Sequence, residues 1–395
     1  MTWDVYNMNN SGLSGNRIYS ITADNNGDKW FGSQGGGLSK YDGTMWTTYN
    51  TSNSGLPNNS VRSIVFDMSG MMWIGTDYGL AKFDGITFTS YTTMNSGISG
   101  NTILSIDFDS NDDLWLGTEG GGISMFDGST WTTFTKANSS LPSDKITGIA
   151  IDASDAKWIS TDGGGVARFE TSGTWTIWNT LNSNIEGNLV YSICIDNNDN
   201  PWSGTCCGLC MFNGVDWDAH HMSTEGTMLH YITDGMFDQN GVGWFGLHLA
   251  LIRYDGTKFE EFNTSNSSIP GNAVTAIYSG ADDKLWVGTN GSGLGVYYDE
   301  QQQTTSIATP KNSGALVAAP IPTSGLLVVK INIDQQADLT LSVFDILGNQ
   351  VYQEILLDQF GQINKVIDTN DLPSGMYILQ AASRTTILTQ RIIVE

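Results

Sequence analysis

A four-residue pattern that begins with tryptophan recurs seven times in the first 300 residues of the sequence. Twelve residues before each copy stands a branched aliphatic residue that opens another strand, and six residues before all but the last stands an aspartate. We interpret each unit as four short strands joined by turns. A four-stranded antiparallel sheet that recurs at this period predicts a propeller blade. The copies of the pattern, Trp-x-(Gly/Ser)-(Thr/Ser/Leu), are spaced 42 to 44 residues apart and begin at Trp30, Trp73, Trp115, Trp158, Trp202, Trp244 and Trp286.

The start of the chain carries the residue that the last unit lacks. An aromatic residue lies 27 positions before the anchor tryptophan of the second to seventh units, and Trp3 lies at that distance before Trp30. The seventh unit, by contrast, stops after three predicted strands at "VYYDE". We therefore expect residues 1–300 to form a seven-bladed β-propeller in which the N-terminal strand completes the last blade and removes an open sheet edge.

The remaining residues predict a second domain. Residues 301–319 show no apolar periodicity and read as a linker. Residues 320–395 contain further apolar or alternating strands, such as "LLVVKINI" and "LTLSVFDILGNQVYQ", enough for a small Ig-like β-sandwich. The predicted fold class is all-β, a seven-bladed propeller followed by this sandwich.

Both parts resemble known families. Segments such as "LPNNSVRSIVFDMSGMMWIGTDYGLAKFDG" resemble the two-component regulator propeller repeat, which is known from sensor ectodomains that recognise polysaccharide fragments. The tail, with "VFDILGNQV", "LPSGMYIL" and a final strand, resembles the type A C-terminal sorting domain of the type IX secretion system of Bacteroidota. One departure is "PIP", Pro320 to Pro322, where that family has Pro-Asn-Pro.

The tail resemblance implies an exported protein. It predicts contact with the type IX secretion machinery and a location in the medium or on the outer cell surface. No signal peptide is visible in "MTWDVYNMNN", because no basic start is followed by an apolar stretch. The alternative for the tail is an accessory Ig-like module that binds ligand.

The charge excludes one class of partner. The sequence has 17 basic and 41 acidic residues, a net charge of −24, and the basic residues form no cluster. Phosphate binding needs a positive face, so we expect no nucleic-acid partner. No apolar run reaches the length of a membrane span, so we expect no transmembrane segment.

Two sets of aligned positions are candidate ligand-binding residues, because both should lie on one face of a propeller. Asn at these turns is also explained by its tolerance of left-handed backbone, and the acids by solvation or by a calcium ion that they would ligate. The first set stands fourteen residues before each anchor tryptophan: Asn16, Asn59, Asn101, Asp144, Asn188, His230 and Asn272. From the second, four residues after each tryptophan, the candidates are Asp77, Glu119, Asp162 and His248.

Three of the four cysteines crowd into "TCCGLC" in the fifth unit, and histidines cluster in the next. Thiolate and imidazole suit zinc or copper. For an exported protein, a disulfide between strands is the competing interpretation, and buried free thiols are the third alternative, which we favour narrowly. The candidate metal ligands are Cys206, Cys207, Cys210, His230 and His248.

No catalytic motif is present in the sequence: it has no G-x-S-x-G, H-E-x-x-H, C-x-x-C-H or phosphate-binding loop. We therefore predict a secreted or surface-bound binding or adhesion protein rather than an enzyme, with a glycan or a surface protein as ligand. The alternative is a propeller-type polysaccharide lyase with a histidine base at the junction of the fifth and sixth blades.

Overall fold

The computed structural model describes residues 2–220, 231–280, 284–298, 315–319, 325–345, 349–370, 372–383 and 387–394. The chain divides into two compact units, Met1–Asp299 and Glu300–Glu395. The described residues of both units form strands and turns, without a helix.

The first unit contains β1 (Thr2–Tyr6), β2 (Ile18–Ala23), β3 (Lys29–Ser33), β4 (Gly37–Tyr41), β5 (Trp46–Tyr49), β6 (Val61–Phe66), β7 (Met72–Thr76), β8 (Gly79–Phe83), β9 (Phe88–Tyr91), β10 (Ile103–Phe108), β11 (Leu114–Thr118), β12 (Ile123–Phe126), β13 (Trp131–Phe134) and β14 (Ile146–Ile151). It continues with β15 (Lys157–Thr161), β16 (Gly165–Phe169), β17 (Trp175–Trp178), β18 (Val190–Ile195), β19 (Pro201–Thr205), β20 (Leu209–Phe212), β21 (Trp217–His220), β22 (Ile232–Phe237), β23 (Gly243–Leu247), β24 (Leu251–Tyr254), β25 (Phe259–Phe262), β26 (Val274–Ser279), β27 (Lys284–Thr289) and β28 (Leu294–Tyr298).

These strands form seven antiparallel four-stranded sheets within the described residues. The first six sheets take four consecutive strands each, from β2–β5 to β22–β25, and the seventh has the order β1-β28-β27-β26. In the first six sheets, the innermost strand comes first in the chain. In the seventh sheet, β26 is the innermost strand and β1, from the start of the chain, is the outer strand. The innermost strands contact one another in a closed cycle, from β2 to β6 and onward to β26, which contacts β2 again.

The start of the chain is held in the seventh sheet by pairing and by packing. Trp3 of β1 is opposite Tyr297 of β28 in the antiparallel register. Only 9% of the Trp3 surface is exposed, and its ring centroid lies 5.2 Å from that of Tyr297. Burial of so large a side chain stabilises this pairing of the two ends of the unit.

The anchor tryptophans lie in the second strand of each sheet, which is almost completely buried. In six sheets the aspartate six residues earlier accepts the indole N–H through one carboxylate oxygen, as in the 3.0 Å bond from Trp30 Nε1 to Asp24 Oδ2. Its other oxygen accepts backbone N–H groups of the turn between the first two strands, at Asn26 and Asp28 in the first sheet. We call this arrangement the Asp–Trp clasp. It joins the local turn to the core of the sheet, which explains why the two residues recur together.

The second unit contains β29 (Ala315–Ala319), β30 (Leu326–Asp345), β31 (Gln350–Asp368), β32 (Gly375–Ala382) and β33 (Ile387–Val394). They form a five-stranded antiparallel sheet with the order β29-β30-β32-β33, and β31 also pairs with β30. Alternate residues of β30, including Leu327, Val329 and Ile331, lie fully buried in its apolar core. β29 falls inside the range predicted as linker. It forms a strand because its short apolar run pairs with β30. Residues 299–314 lie outside the described part.

Candidate ligand-binding face

Both sets of candidate positions lie at the same end of the sheets. In five of the sheets, the glycine at the start of the third strand donates its N–H to the carbonyl of the Asn or Asp candidate of the following sheet, as in Gly37 N to Asn59 O at 2.7 Å and Gly165 N to Asn188 O at 3.0 Å. Gly165 has a φ of 82°, and a Cβ there would lie 2.1 Å from the carbonyl oxygen of Trp178, so only glycine fits. We call the surface made by these turns and by the segments entering the innermost strands the corner face.

The Asn and Asp candidates have a structural role on this face. Their side-chain oxygens accept the backbone N–H of the residue eight positions earlier and so hold the loop that enters each sheet. The contacts are Asn16 with Met8, Asn59 with Thr51, Asn101 with Thr93, Asp144 with Lys136, Asn188 with Thr180 and Asn272 with Thr264, at 2.7 to 2.9 Å. Ligand contact by this set stays a prediction, and His230 lies outside the described residues.

The three acidic corner candidates have cationic partners. Asp77 forms an ion pair with Nε of Arg62. Lys145 Nζ lies 2.9 Å from Asp162 Oδ2 and 3.8 Å from Glu119 Oε1, so one ammonium group bridges the corners of two neighbouring sheets. A calcium ion would have to displace these cations.

The metal predictions therefore lack a ligand cluster in the part of the chain that the structure describes. There, no group of three or more His, Cys, Asp and Glu side chains is placed to hold a metal ion. Calcium at the corner acids and zinc at the cysteines and histidines stay predictions, and the candidate ligand His230 lies outside the described residues.

All four cysteines are free thiols. Cys206 and Cys207 lie half-buried in the corner of the fifth sheet, with their Sγ atoms 2.8 Å apart. Cys210 is buried in β20, and burial raises the pKa of its thiol to about 12. Burial also raises the pKa of Cys194 in β18 above its usual value. These last two thiols are held protonated, whereas a metal ligand must be a thiolate.

A set of tyrosines on the corner face was missed by the sequence analysis. The Tyr19 ring contacts two guanidinium groups, with its centroid 5.2 Å from Cζ of Arg17 and 4.7 Å from Cζ of Arg62. Tyr191 and Tyr231 meet edge to face across the fifth and sixth sheets, with centroids 5.3 Å apart. Tyr19 and Tyr191 occupy the same position, eleven residues before the anchor tryptophan, and this is the signal that could have identified them.

The tyrosine pair continues into His248. The His248 ring lies 5.7 Å from that of Tyr231 and is exposed, and 47% of the Tyr231 surface is exposed as well. Burial, followed by the neighbouring Tyr231, raises the pKa of Tyr191 above its ordinary value. The fifth and sixth sheets thus present aromatic rings with polar groups beside them, which suits stacking and hydrogen bonding to one ligand.

A cleft of about 380 Å³ lies at the other end of the sheets, between the first and the second. Trp30, Tyr49 and Phe83 line it, together with Lys40. The Lys40 ammonium lies 5.2 Å from the Trp30 ring and 2.6 Å from Asp28, so it is engaged within the fold. The cleft is therefore lined by side chains that surround the Asp–Trp clasp of the first sheet.

Two family models match parts of the chain. The two component regulator propeller matches residues 55–78 and 268–291, and the secretion system C-terminal sorting domain matches residues 318–395. Both predicted resemblances are confirmed. A comparison with curated proteins found no match.

Solved structures share the fold at low identity. The extracellular domain of the hybrid two component system BT3049 from B. thetaiotaomicron superposes with a TM-score of 0.65 and 18% identity, over 100% of this chain and 57% of that one. PorZ, an essential surface component of the type-IX secretion system of Porphyromonas gingivalis, gives 0.63 and 19% over 98% and 60%. The chain thus spans less than two thirds of these two proteins. Virginiamycin B lyase from Staphylococcus aureus gives 0.60 and 15% over 75% and 98%.

The comparisons establish an all-β, propeller-like chain of repeated four-stranded sheets with a type IX sorting tail. The tail implies interaction with the secretion machinery and a secreted or cell-surface location. Among the described residues, no helix is long and apolar enough to cross a membrane.

Proposed function

We propose that this protein is an exported, non-catalytic binding or adhesion module with a seven-bladed propeller and an Ig-like sorting sandwich. The propeller binds a glycan through its corner face, and the tail directs export. The seven sheets and the closed cycle of their innermost strands support the seven-bladed assignment. A surface protein is the second ligand class.

The observation that carries the glycan assignment is the row of rings on the fifth and sixth sheets, of which Tyr231 and His248 are exposed and Tyr191 is half-buried. Tyr191, Tyr231 and His248 meet in sequence. Tyrosine offers an apolar ring for stacking and a hydroxyl for hydrogen bonds. On the other sheets, Arg62 and Lys145 lie beside carboxylates, so this face offers donors and acceptors without a net positive field. Neutral or weakly charged saccharides suit that combination better than polyanions do.

A glycan array probed with the full chain tests this assignment. We expect Tyr191→Ala and Tyr231→Ala each to weaken binding of the best glycan about tenfold or more, which corresponds to roughly 1.4 kcal/mol for an interfacial aromatic ring. Ile86→Ala is the matched control, because Ile86 is 90% exposed in the turn between the third and fourth strands of the second sheet, at the opposite end. An array without a bound glycan would overturn the ligand class, and binding unchanged in both tyrosine variants would overturn the site.

The polysaccharide lyase alternative is tested by incubation with uronate polymers, monitored by the absorbance of the unsaturated product. We expect no product. Product formation that disappears in His230→Ala would replace the binding assignment with an enzymatic one. The likeness to virginiamycin B lyase, at 15% identity, concerns the fold and carries no activity to this chain.

The export assignment is tested with a chain that ends at residue 305 in a host with a type IX system. We expect this chain to remain inside the cell, whereas the full chain reaches the surface or the medium. Surface delivery of the shortened chain would show that the tail is not the sorting signal.

A further inference from the structure

The two neighbouring cysteines of the fifth sheet are unusually close. The 2.8 Å between Cys206 Sγ and Cys207 Sγ is shorter than the roughly 3.5–4.0 Å at which even non-bonded carbon atoms meet. It is longer than the roughly 2.0 Å of a disulfide bond. The two thiols therefore lie side by side, within a small displacement of bonding distance.

The backbone of this corner holds the pair in place. Cys206 N donates to Leu189 O at 2.9 Å, and Cys207 N donates to Thr205 Oγ1 at 3.0 Å. Thr205 Oγ1 also accepts the N–H of Gly208 at 3.0 Å, which closes the turn. These bonds fix the backbone from which both side chains project, and in this backbone the two sulfurs lie on the same side of the corner, 2.8 Å apart.

Packing selects one position for the first sulfur. A Cβ on Gly187 would lie 2.7 Å from Cys206 Sγ, so the sulfur occupies the space that this glycine leaves open. Both thiols of the pair are nevertheless half-buried rather than enclosed. A small reagent can reach them from the corner face.

The other two cysteines are poor competitors for a disulfide. Cys210 is fully buried, and Cys194 lies in the innermost strand, where it is packed among Trp202, Phe237 and their neighbours. Either would have to leave its packed position to pair with the corner. The geometry thus favours the adjacent pair over every other combination of the four.

We propose that Cys206 and Cys207 form a reversible vicinal disulfide, which makes the corner of the fifth sheet a redox-responsive site. The oxidant is a low-molecular-weight disulfide. Each cysteine thiol loses its proton, one S–S bond forms between Cys206 and Cys207, and the two protons and two electrons pass to the small disulfide, whose S–S bond breaks to give two thiols.

This disulfide is readily reduced. Adjacent Cα atoms are about 3.8 Å apart, below the roughly 4.4–6.8 Å of ordinary disulfides, so the ring is strained and its bond more reducible. The bond closes no long loop, so it adds little to the stability of the fold. Its effect is local: it removes two thiol donors beside Tyr191, whose pKa the two cysteines help to raise.

The test is oxidation of the full chain with oxidised glutathione, followed by alkylation of the remaining thiols and chymotryptic mass spectrometry. Cleavage after Trp202 and Phe212 isolates residues 203–212 from Cys194. We expect the denatured chain to lose two of its four titratable thiols. We expect residues 203–212 to carry one internal disulfide, to be alkylated at Cys210 alone, and to gain two more alkyl groups after reduction.

Single substitutions separate the possible pairings. Cys206→Ser and Cys207→Ser should each leave one corner thiol that retains a glutathione adduct, whereas Cys210→Ser should still lose two thiols. All four thiols alkylated after oxidation would overturn the proposal, as would a disulfide that includes Cys210 or Cys194. The outcome is independent of whether the propeller binds a glycan.

Discussion

Asp234 is a carboxylate where the other six sheets have serine, glycine or alanine, and replacing it with serine should stabilise the propeller at neutral pH. Its Oδ2 accepts the N–H of Ile277 at 2.8 Å, a bond between the innermost strands of the sixth and seventh sheets. At the same position, Ser105 Oγ accepts the N–H of Ile149 at 3.0 Å. Serine therefore supplies the same inter-sheet acceptor without a charge.

The magnitude follows from the pKa of Asp234. Burial raises this pKa from 3.8 to about 6, so the folded state binds the proton more tightly than the unfolded chain does. The stability that this provides is present below about pH 4 and is lost as pH rises to about 6. A shift of about two pH units corresponds to at most about 3 kcal/mol. Because Asp234 is half-buried when the whole residue is considered, we expect Asp234→Ser to gain about 1–2 kcal/mol above pH 6.

Thermal unfolding followed by tryptophan fluorescence at about pH 4 and about pH 8 measures this effect. All 13 tryptophans precede residue 300, so the signal reports the propeller alone. The variant should melt a few degrees above the natural protein at about pH 8 and should show no gain at about pH 4. Asp234→Asn is the control for charge, since it keeps the shape but cannot ionise. The reasoning would be refuted if the difference between the two proteins were independent of pH, or if the natural protein melted above the variant at about pH 8.

Two further substitutions test how the sheets are held. Trp3→Ala should destabilise the propeller by about 3–5 kcal/mol in denaturant unfolding, because it removes the ring packed on Tyr297; unchanged stability would show that the seventh sheet does not need β1. Lys157→Met should cost about 3–5 kcal/mol, because Lys157 Nζ lies 3.0 Å from Asp109 Oδ2 and both groups are buried. Lys82→Met, at a partly exposed position over a tryptophan ring, is the control and should have a small effect; equal losses would contradict the buried-pair explanation.

Signals within one unit of the sequence were enough to predict the repeated sheets. A buried tryptophan, a branched residue twelve positions earlier and an aspartate six positions earlier all act inside one sheet, at fixed separations. The Asp–Trp clasp shows why: Asp24 and Trp30 bond directly, so their spacing is a local geometric requirement. β29 was missed because its residues form only a short apolar run in the sequence. Its pairing with β30, which shows that the run is a strand, is seen only in the structure.

The chemistry of the corner face depends on contacts between sheets, and so it was less predictable. Lys145 stands before the innermost strand of the fourth sheet, yet it also pairs with Glu119 of the third. Tyr231 stands thirteen residues before its anchor tryptophan and Tyr191 eleven before its own, so no alignment column contains both rings. Such pairs follow from the distance between neighbouring sheets, which a single sequence does not encode as a spacing.

The two ends of the sheets differ in how strictly they repeat. At the clasp end, six of the seven sheets have an equivalent hydrogen bond from the anchor tryptophan to the aspartate six residues earlier. At the corner, the residue four positions after the tryptophan changes from sheet to sheet: Gln34, Asp77, Glu119, Asp162, Cys206, His248 and Asn290. Backbone bonds hold this end without those side chains, from corner glycines in five sheets and through Cys206 N to Leu189 O in the fifth and Leu247 N to Ala250 O in the sixth. Side chains that the fold does not require are free to serve a ligand. We therefore propose the corner of the fifth and sixth sheets, with its cysteine pair and its tyrosines, as the place of recognition.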